Sequence, residues 1–456
     1  MSQTTLIHER TVQERIHDFK EVSYGYDHND MIQEAKRCLQ CTNPLCRRGC
    51  PVEVNIPEFI KYIAENNPYK AVAVIKKKNN FPAVCGRVCA QENQCEKFCI
   101  LSKKNKSICI GNLERYVADI TMNNSLNLIN KNGQYAKIAI IGSGPAGLSC
   151  ASDLLQVGHK VIIYESLHDA GGVLRYGVPE FRLPKKILDM EINNLKQFGL
   201  TIILNNLIGR TKTINNLFHE QYKAIFIGTG SGLPIFPGIE GENLKHIYCA
   251  NEFLVRVNLM NAYDFPDKAD TPVYVGKNVV IVGGGNTAMD SARTAIRLGA
   301  KNVKIIYRRT EHEMPSRRKE KVHAKEEGVE FITLTTPIRF ISDDNGAVNG
   351  VECVKVESIY NKGEKSIKYI INSKHIIKTD MVVLALGLRP NCILPSLTKN
   401  LHIDQSGYIK IDHNYMTSIN GVFAGGDIVG GSTVIEAMGM GKKAAQAIIN
   451  FIKNTK

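Results

Sequence analysis

The chain has 456 residues, with 58 Lys and Arg against 44 Asp and Glu, a formal net charge of +14. Hydrophobic residues make up 43% and charged residues 22%, which excludes a disordered chain and leaves apolar side chains for about three domains. The positive balance comes with no helix-turn-helix, zinc-finger or RNA-binding pattern; it reads as solvated faces such as Lys76, Lys77 and Lys78, with no nucleic-acid partner.

The start, Met1-Ser-Gln-Thr-Thr-Leu, lacks the apolar core of a secretory signal, and no apolar run reaches the ~18 residues of a membrane span. The expected location is the cytoplasm, away from membranes, where thiols stay reduced. Of 13 cysteines, nine lie between Cys38 and Cys109. A reduced chain with such a cluster is expected to bind metal. The same region carries helical periodicity at Ile56, Phe59, Ile60 and Ile63, and again at Leu113, Tyr116, Val117 and Ile120.

The cysteines form two runs: Cys38-x2-Cys41-x4-Cys46-x3-Cys50-Pro51 and Cys85-x3-Cys89-x5-Cys95-x3-Cys99. Zinc sites usually draw on short pairs set well apart, to build a tetrahedron. Here the thiols crowd into winding loops and Cys50 precedes a proline, as in a bacterial ferredoxin run whose last Cys ligates the other cluster. Iron–sulfur clusters are therefore expected. Crossing over groups Cys38, Cys41 and Cys46 with Cys99. It leaves Cys50, Cys89 and Cys95 needing a fourth ligand: Cys85, Cys109 or the Glu114 carboxylate.

Residues 123–133 read as a linker. Then the texture turns to strand, Gly-rich turn, helix and strand, over 136–141, 147–157 and 160–164. Gly142-Ser143-Gly144-Pro145-Ala146-Gly147 joins the first strand to the helix, and Glu165 ends the second strand. This is a full dinucleotide fingerprint. Its glycines let the backbone approach pyrophosphate, the helix N-terminus favours the negative charge, and the acid takes ribose hydroxyls. Near the C-terminus, Gly425-Gly426-Asp427-Ile428 follows a short strand, as in flavoproteins that place such an Asp near the ribityl and phosphates. The first site is accordingly assigned FAD.

A second unit spans 278–282, 288–298 and 303–307. Its turn is Gly283-Gly284-Gly285-Asn286-Thr287-Ala288, and the acid is missing. Arg308 and Arg309 stand there instead. A guanidinium binds a 2′-phosphate that a carboxylate would repel, so NADP(H) is the expected coenzyme. The fold class is α/β: two Rossmann-like dinucleotide units preceded by a helical cysteine domain. No Ser-His-Asp or Cys-His constellation stands out, and no catalytic side chain is assigned. His312 and His323 read as surface residues of a charged helix.

The chain resembles the small chain of NADPH-dependent glutamate synthase over nearly its whole length. The stretches that carry this are Ala35-Lys-Arg-Cys-Leu-Gln-Cys41, Cys85-Gly-Arg-Val-Cys89, Gly111-Asn-Leu-Glu-Arg115, Gly171-Gly172-Val-Leu174-Arg175-Tyr-Gly-Val-Pro179, Tyr307-Arg-Arg-Thr-Glu311 and Ala437-Met-Gly-Met-Gly441. The same module resembles the N-terminal part of dihydropyrimidine dehydrogenase and the large subunit of electron-bifurcating transhydrogenases. The resemblance implies a helical domain with two [4Fe-4S] clusters at 1–125. It implies an FAD domain at 136–250 and 389–456, with an NADP(H) domain inserted at 251–388. It implies Glu114 as the noncysteine ligand, Gly172, Leu174 and Arg175 along FAD, and Ala385 and Gly387 near the nicotinamide. One departure is Ala90, where the family more often has Pro.

NADPH yields two electrons at once, FAD accepts two and releases one at a time, and each cluster carries one. The expected function is to pass electrons from NADPH through FAD and clusters to a partner. That partner is a larger FMN-containing glutamate synthase chain, or alternatively a ferredoxin-linked flavoprotein subunit in a bifurcating complex. A zinc-binding scaffold without activity is the third reading. Ser2 follows Met1 where the family's glutaminase has Cys, and a (β/α)8 barrel of ~250 residues has no room here. A hetero-oligomer or a homo-oligomer is expected.

Overall fold

The computed structural model describes residues 5, 7–122, 136–361 and 364–454. The linker expected at 123–133 lies outside them.

The N-terminal region is helical. Its main helices are His28–Lys36, Ile56–Ala64, Pro68–Lys76, Pro82–Val88 and Ile110–Thr121. Three of them place a proline in the first turn, where the missing N–H costs nothing. Ile56, Phe59, Ile60, Ile63, Leu113 and Val117 face one core. Ile120 departs from the expected face and is 46% exposed.

A five-stranded parallel sheet follows, in the order Val422–Ala424, Ala224–Ile227, Lys137–Ile141, Lys160–Tyr164, Thr201–Ile203. Its central strands are apolar on both faces because helices cover both. The C-terminal helix Val434–Asn454 packs along the helix Pro145–Gln156.

A second parallel sheet has the order Glu330–Thr333, Asn302–Tyr307, Asn278–Val282, Met381–Leu384, Ile247–Cys249. Its edge strand precedes residue 251, so this unit begins earlier than the expected boundary. The chain enters and leaves it through an antiparallel pair, Ser231–Pro234 with Leu388–Pro390. An antiparallel sheet of Thr335–Ser342, Val348–Asn361, Glu364–Tyr369 and His375–Lys378 is appended. The sequence reading did not foresee it.

Buried ion pairs join the three regions. Arg182 makes two bonds to Asp290, 2.6 and 2.7 Å. Arg293 lies between Glu320 and Glu327, and Glu327 also takes Arg297 at 2.7 Å and Arg15 at 2.9 Å. Burial alone would raise the Glu327 carboxyl, but the Arg293 and Arg297 guanidiniums outweigh it and hold it at about 2. Glu9 bonds His323 at 2.8 Å and Lys319 at 2.5 Å. This corrects the reading of His323 as a surface residue: it is 4% exposed. His312 is exposed, on a short 3-10 turn rather than the charged helix.

Candidate functional site

The first fingerprint is held open by backbone proximity. Gly142 has φ +99°, and a Cβ there would sit 2.6 Å from the Gly228 carbonyl. A Cβ on Gly147 would meet the Gly142 carbonyl at 2.0 Å, so the helix starts hard against the turn. Pro145 opens that helix and Gly144 caps it. Gly144 has open space where its Cβ would point, which leaves the helix N-terminus bare for a phosphate.

Glu165 accepts from Ser143 N at 2.8 Å, Ser143 Oγ at 2.6 Å and Leu167 N at 2.9 Å. Ser143 Oγ in turn accepts from Gly171 N at 3.0 Å. Gly172 presses so closely on the loop that its Cβ would lie 2.7 Å from Gly144 Cα. The 171–172 turn is thus fastened to the fingerprint. Leu174 is buried in the adjoining core. Arg175 points elsewhere: its guanidinium pairs with Asp169 at 3.1 Å and with Asp189. Gly426 packs on Ala146, where a Cβ would come within 3.0 Å. Burial and the neighbouring Glu436 raise the Asp427 carboxyl to about 6. Tyr176 is raised to about 12 by burial first, and then by the charges of Asp427 and Glu165.

The second fingerprint repeats the design. A Cβ on Gly283 would lie 2.3 Å from the Ala385 carbonyl, and Gly285 faces open space before the helix Asn286–Arg297. Gly284 abuts the Tyr307 ring. Ser316 N donates to Gly284 O at 3.3 Å, and Arg317 N to Asn286 Oδ1 at 2.9 Å. Arg308 is exposed and Arg309 half-buried after the strand Asn302–Tyr307. Among the described residues neither guanidinium has an ion-pair partner.

All 13 cysteines are free thiols. Cys38, Cys41, Cys46 and Cys99 line one apolar cavity of about 80 Å³. Cys50, Cys89, Cys95, Glu114 and Cys85 line another of about 30 Å³. Two groups of soft donors among apolar walls suit iron–sulfur clusters. Burial pushes the Cys46 thiol up to about 12 and the Cys50 thiol to about 11; neighbouring thiols and Glu114 add to this. Such thiols need a cationic metal to hold them as thiolates. Burial also raises the Glu114 carboxyl to about 7, against the pull of Asn79 Nδ2 at 2.8 Å. Cys85 is 1% exposed and contacts Met438 Sδ at 3.6 Å. Cys109 borders neither cavity.

A third cavity, about 220 Å³, opens where the three regions meet. Cys89 enters it from the cysteine region, Tyr176 and Ile435 from the first dinucleotide unit, and Thr287, Ala385 and Gly387 from the second. Cys89 and Ile435 also line the smaller cysteine cavity. The C-terminal helix closes the arrangement. A Cβ on its Gly441 would lie 2.2 Å from the Ala146 carbonyl, and one on Gly439 would lie 2.7 Å from Val52 Cγ1. Sequence reasoning missed Asn79, Tyr176 and Ile435. Nothing in the local pattern of Asn79 and Ile435 separates them from ordinary core or cap residues, whereas Tyr176 lies within the Gly171–Pro179 stretch, and the Ala437–Gly441 stretch pointed to the C-terminal helix.

Comparison with known proteins adds identity to this geometry. The family model described as dihydropyrimidine dehydrogenase domain II, 4Fe-4S cluster, matches residues 15–126. The model for pyridine nucleotide-disulphide oxidoreductase matches residues 136–441. The glutamate synthase [NADPH] small chain of Escherichia coli is 35% identical over 449 residues, 96% of this chain and 94% of that one. That of Azospirillum brasilense is 33% identical over 462 residues, 97% and 94% of the two chains. Among solved structures, Mycobacterium tuberculosis FprA in complex with NADPH superposes with a TM-score of 0.57 at 19% identity. The match covers 71% of this chain and 85% of that one, and it shows a shared fold.

Proposed function

The chain belongs to the pyridine nucleotide-disulphide oxidoreductases and, within them, to the glutamate synthase small-chain family, and from that premise we propose that it draws electrons from NADPH for glutamate synthesis by a larger partner chain. It is a flavin and iron–sulfur oxidoreductase using FAD, NADPH and [4Fe-4S] clusters. The observation that carries the electron route is the position of Cys89, which lines both the cavity between the nucleotide units and the smaller cysteine cavity.

The cofactors supply hydride acceptance, single-electron release and electron storage. The chain's own work is placement. Gly142, Gly144 and Gly147 would admit the FAD pyrophosphate, with Glu165 toward its ribose and Gly426 and Asp427 toward its phosphate side. Glu165 must first release Ser143 or share it. Gly284, Gly285, Asn286 and Thr287 would hold the coenzyme pyrophosphate, and Arg308 and Arg309 its 2′-phosphate. Ala385 and Gly387 border the space for the nicotinamide. Cys50, Cys89, Cys95 and Glu114 would hold the nearer cluster, and Cys38, Cys41, Cys46 and Cys99 the farther one. Val178, Leu254 and Leu384 give the meeting point apolar walls.

Anaerobically purified protein should contain about eight iron and eight sulfide per chain, as two [4Fe-4S] clusters require, with one FAD. NADPH should bleach the flavin band. Stoichiometric zinc without labile sulfide would overturn the assignment.

A further inference from the structure

The two cysteine cavities differ in what surrounds them. Cys85, Cys95 and Glu114 of the smaller one are buried, and Cys89 and Ile435 connect it inward to the nucleotide cavity. The larger one opens outward. Leu39, Leu45, Phe98 and Ile100 all line it, and they are 61, 42, 46 and 50% exposed. Large apolar side chains exposed together mark an interaction surface more often than ordinary solvent-facing structure.

The charge around this face is one-sided. Residues 36–50 and 97–107 contain no Asp or Glu. Lys36, Arg47, Arg48, Lys97, Lys103 and Lys104 are exposed there, and among the described residues none has an ion-pair partner. Of the acids that flank these stretches, Glu34 is buried and spent on Arg37 and on Cys109 N, Glu96 accepts from Gly111 N at 3.1 Å, and Glu53, three residues beyond Cys50, is exposed. An apolar centre with a charged rim is the anatomy of a protein interface. A rim of one sign selects a partner of the opposite sign and speeds its approach.

We propose that electrons leave through the apolar face over Cys38, Cys41, Cys46 and Cys99, and that this face docks the acidic surface of a one-electron acceptor protein. The proposal rests on the functional reading above and adds the exit and the charge of what docks there. In each docking event one electron passes to the acceptor's oxidised centre. Two such events consume one NADPH and leave NADP+ and a proton.

Native cytochrome c, which is basic, and succinylated cytochrome c, which is acidic, are suitable probes because they carry the same haem. The anaerobic holoprotein should reduce the succinylated form at least about 10-fold faster at low ionic strength, with the two rates converging near ~0.5 M salt. Immobilised holoprotein should retain the succinylated form and release the native one. The quadruple variant Arg47→Glu, Arg48→Glu, Lys103→Glu, Lys104→Glu should invert both preferences, while Lys77→Glu with Lys78→Glu should not. Flavin bleaching by NADPH should be unchanged in every variant; its failure in wild type would sink the functional reading rather than the docking face. Equal treatment of the two cytochromes, or preferences untouched by the quadruple variant, would refute the proposal. So would duplex DNA binding that the quadruple variant abolishes without any cytochrome preference.

Discussion

Glu114 and Cys85 share a cavity, yet they differ in what they could give a metal. Glu114 offers a carboxylate oriented by Asn79, whereas Cys85 is packed against Met438. Glu114→Ala should change the electron paramagnetic resonance spectrum of one cluster only. Cys85→Ser should leave both spectra intact, and the reverse pattern would show that the thiol is the ligand. Arg308 bears on coenzyme choice. It is exposed and unpaired among the described residues, so its guanidinium is available to a phosphate. Losing a charge-assisted contact costs about 1.5–3 kcal/mol, or roughly 10- to 150-fold in affinity. Arg308→Ala should raise KM for NADPH by that order and leave KM for NADH nearly unchanged, with kcat little affected because the phosphate is remote from the hydride. Arg309→Ala should do less, since Arg309 is partly covered. Dye-reduction kinetics with both coenzymes would check this.

The turn and helix that open each nucleotide site make separable demands on their glycines. A methyl on Gly144 would enter open space, whereas one on Gly441 would strike the Ala146 carbonyl. Gly144→Ala should therefore keep its melting temperature as apoprotein and lose FAD. Gly441→Ala should lose about 1–3 kcal/mol of stability through overpacking, and FAD retention with it. Thermal melts by circular dichroism and flavin content would separate the two. These turns were legible in the sequence because close backbone approach demands Gly at fixed spacing, and so was the helix period of Ile56, Phe59, Ile60 and Ile63. The antiparallel strands from Thr335 to Lys378 were less so, since they lie half in solvent, although Asn345-Gly346, with φ +73° at Gly346, marks one of their turns. His323 was misread because the helix Arg318–Glu326 carries charges all round. A helix buried in ion pairs looks, in sequence, like a solvated one. Its partner Glu9 is 314 residues away, beyond any local pattern.

At the scale of the molecule, the ion pairs at the junction set a pH limit. Glu327 and Glu9 are both held at about 2, below the ordinary value of 4.5. A carboxyl depressed in the folded state contributes its full stability above its unfolded pKa and loses it as pH falls through the folded one. The junction should therefore weaken between about pH 5 and pH 2. At neutral pH, Glu327→Gln leaves the buried Arg297 without a carboxylate and takes one of their partners from Arg15, which keeps Glu326, and Arg293, which keeps Glu320; it should cost about 3–5 kcal/mol. That cost should shrink across the same acid window. Urea unfolding followed by circular dichroism would measure it, since the chain has no Trp to report by fluorescence.

The C-terminal helix touches Val52 with Gly439 and Ala146 with Gly441, and neither contact has room for a methyl. Two residues of helix rise about 3 Å, a length set by covalent geometry and backbone hydrogen bonds rather than by pliable side chains. The helix is thus a gauge block laid between the compartment that handles electrons in pairs and the one that handles them singly. Their separation is as stiff as the helix itself, and a single residue inserted between positions 439 and 441 would throw both faces out of alignment at once.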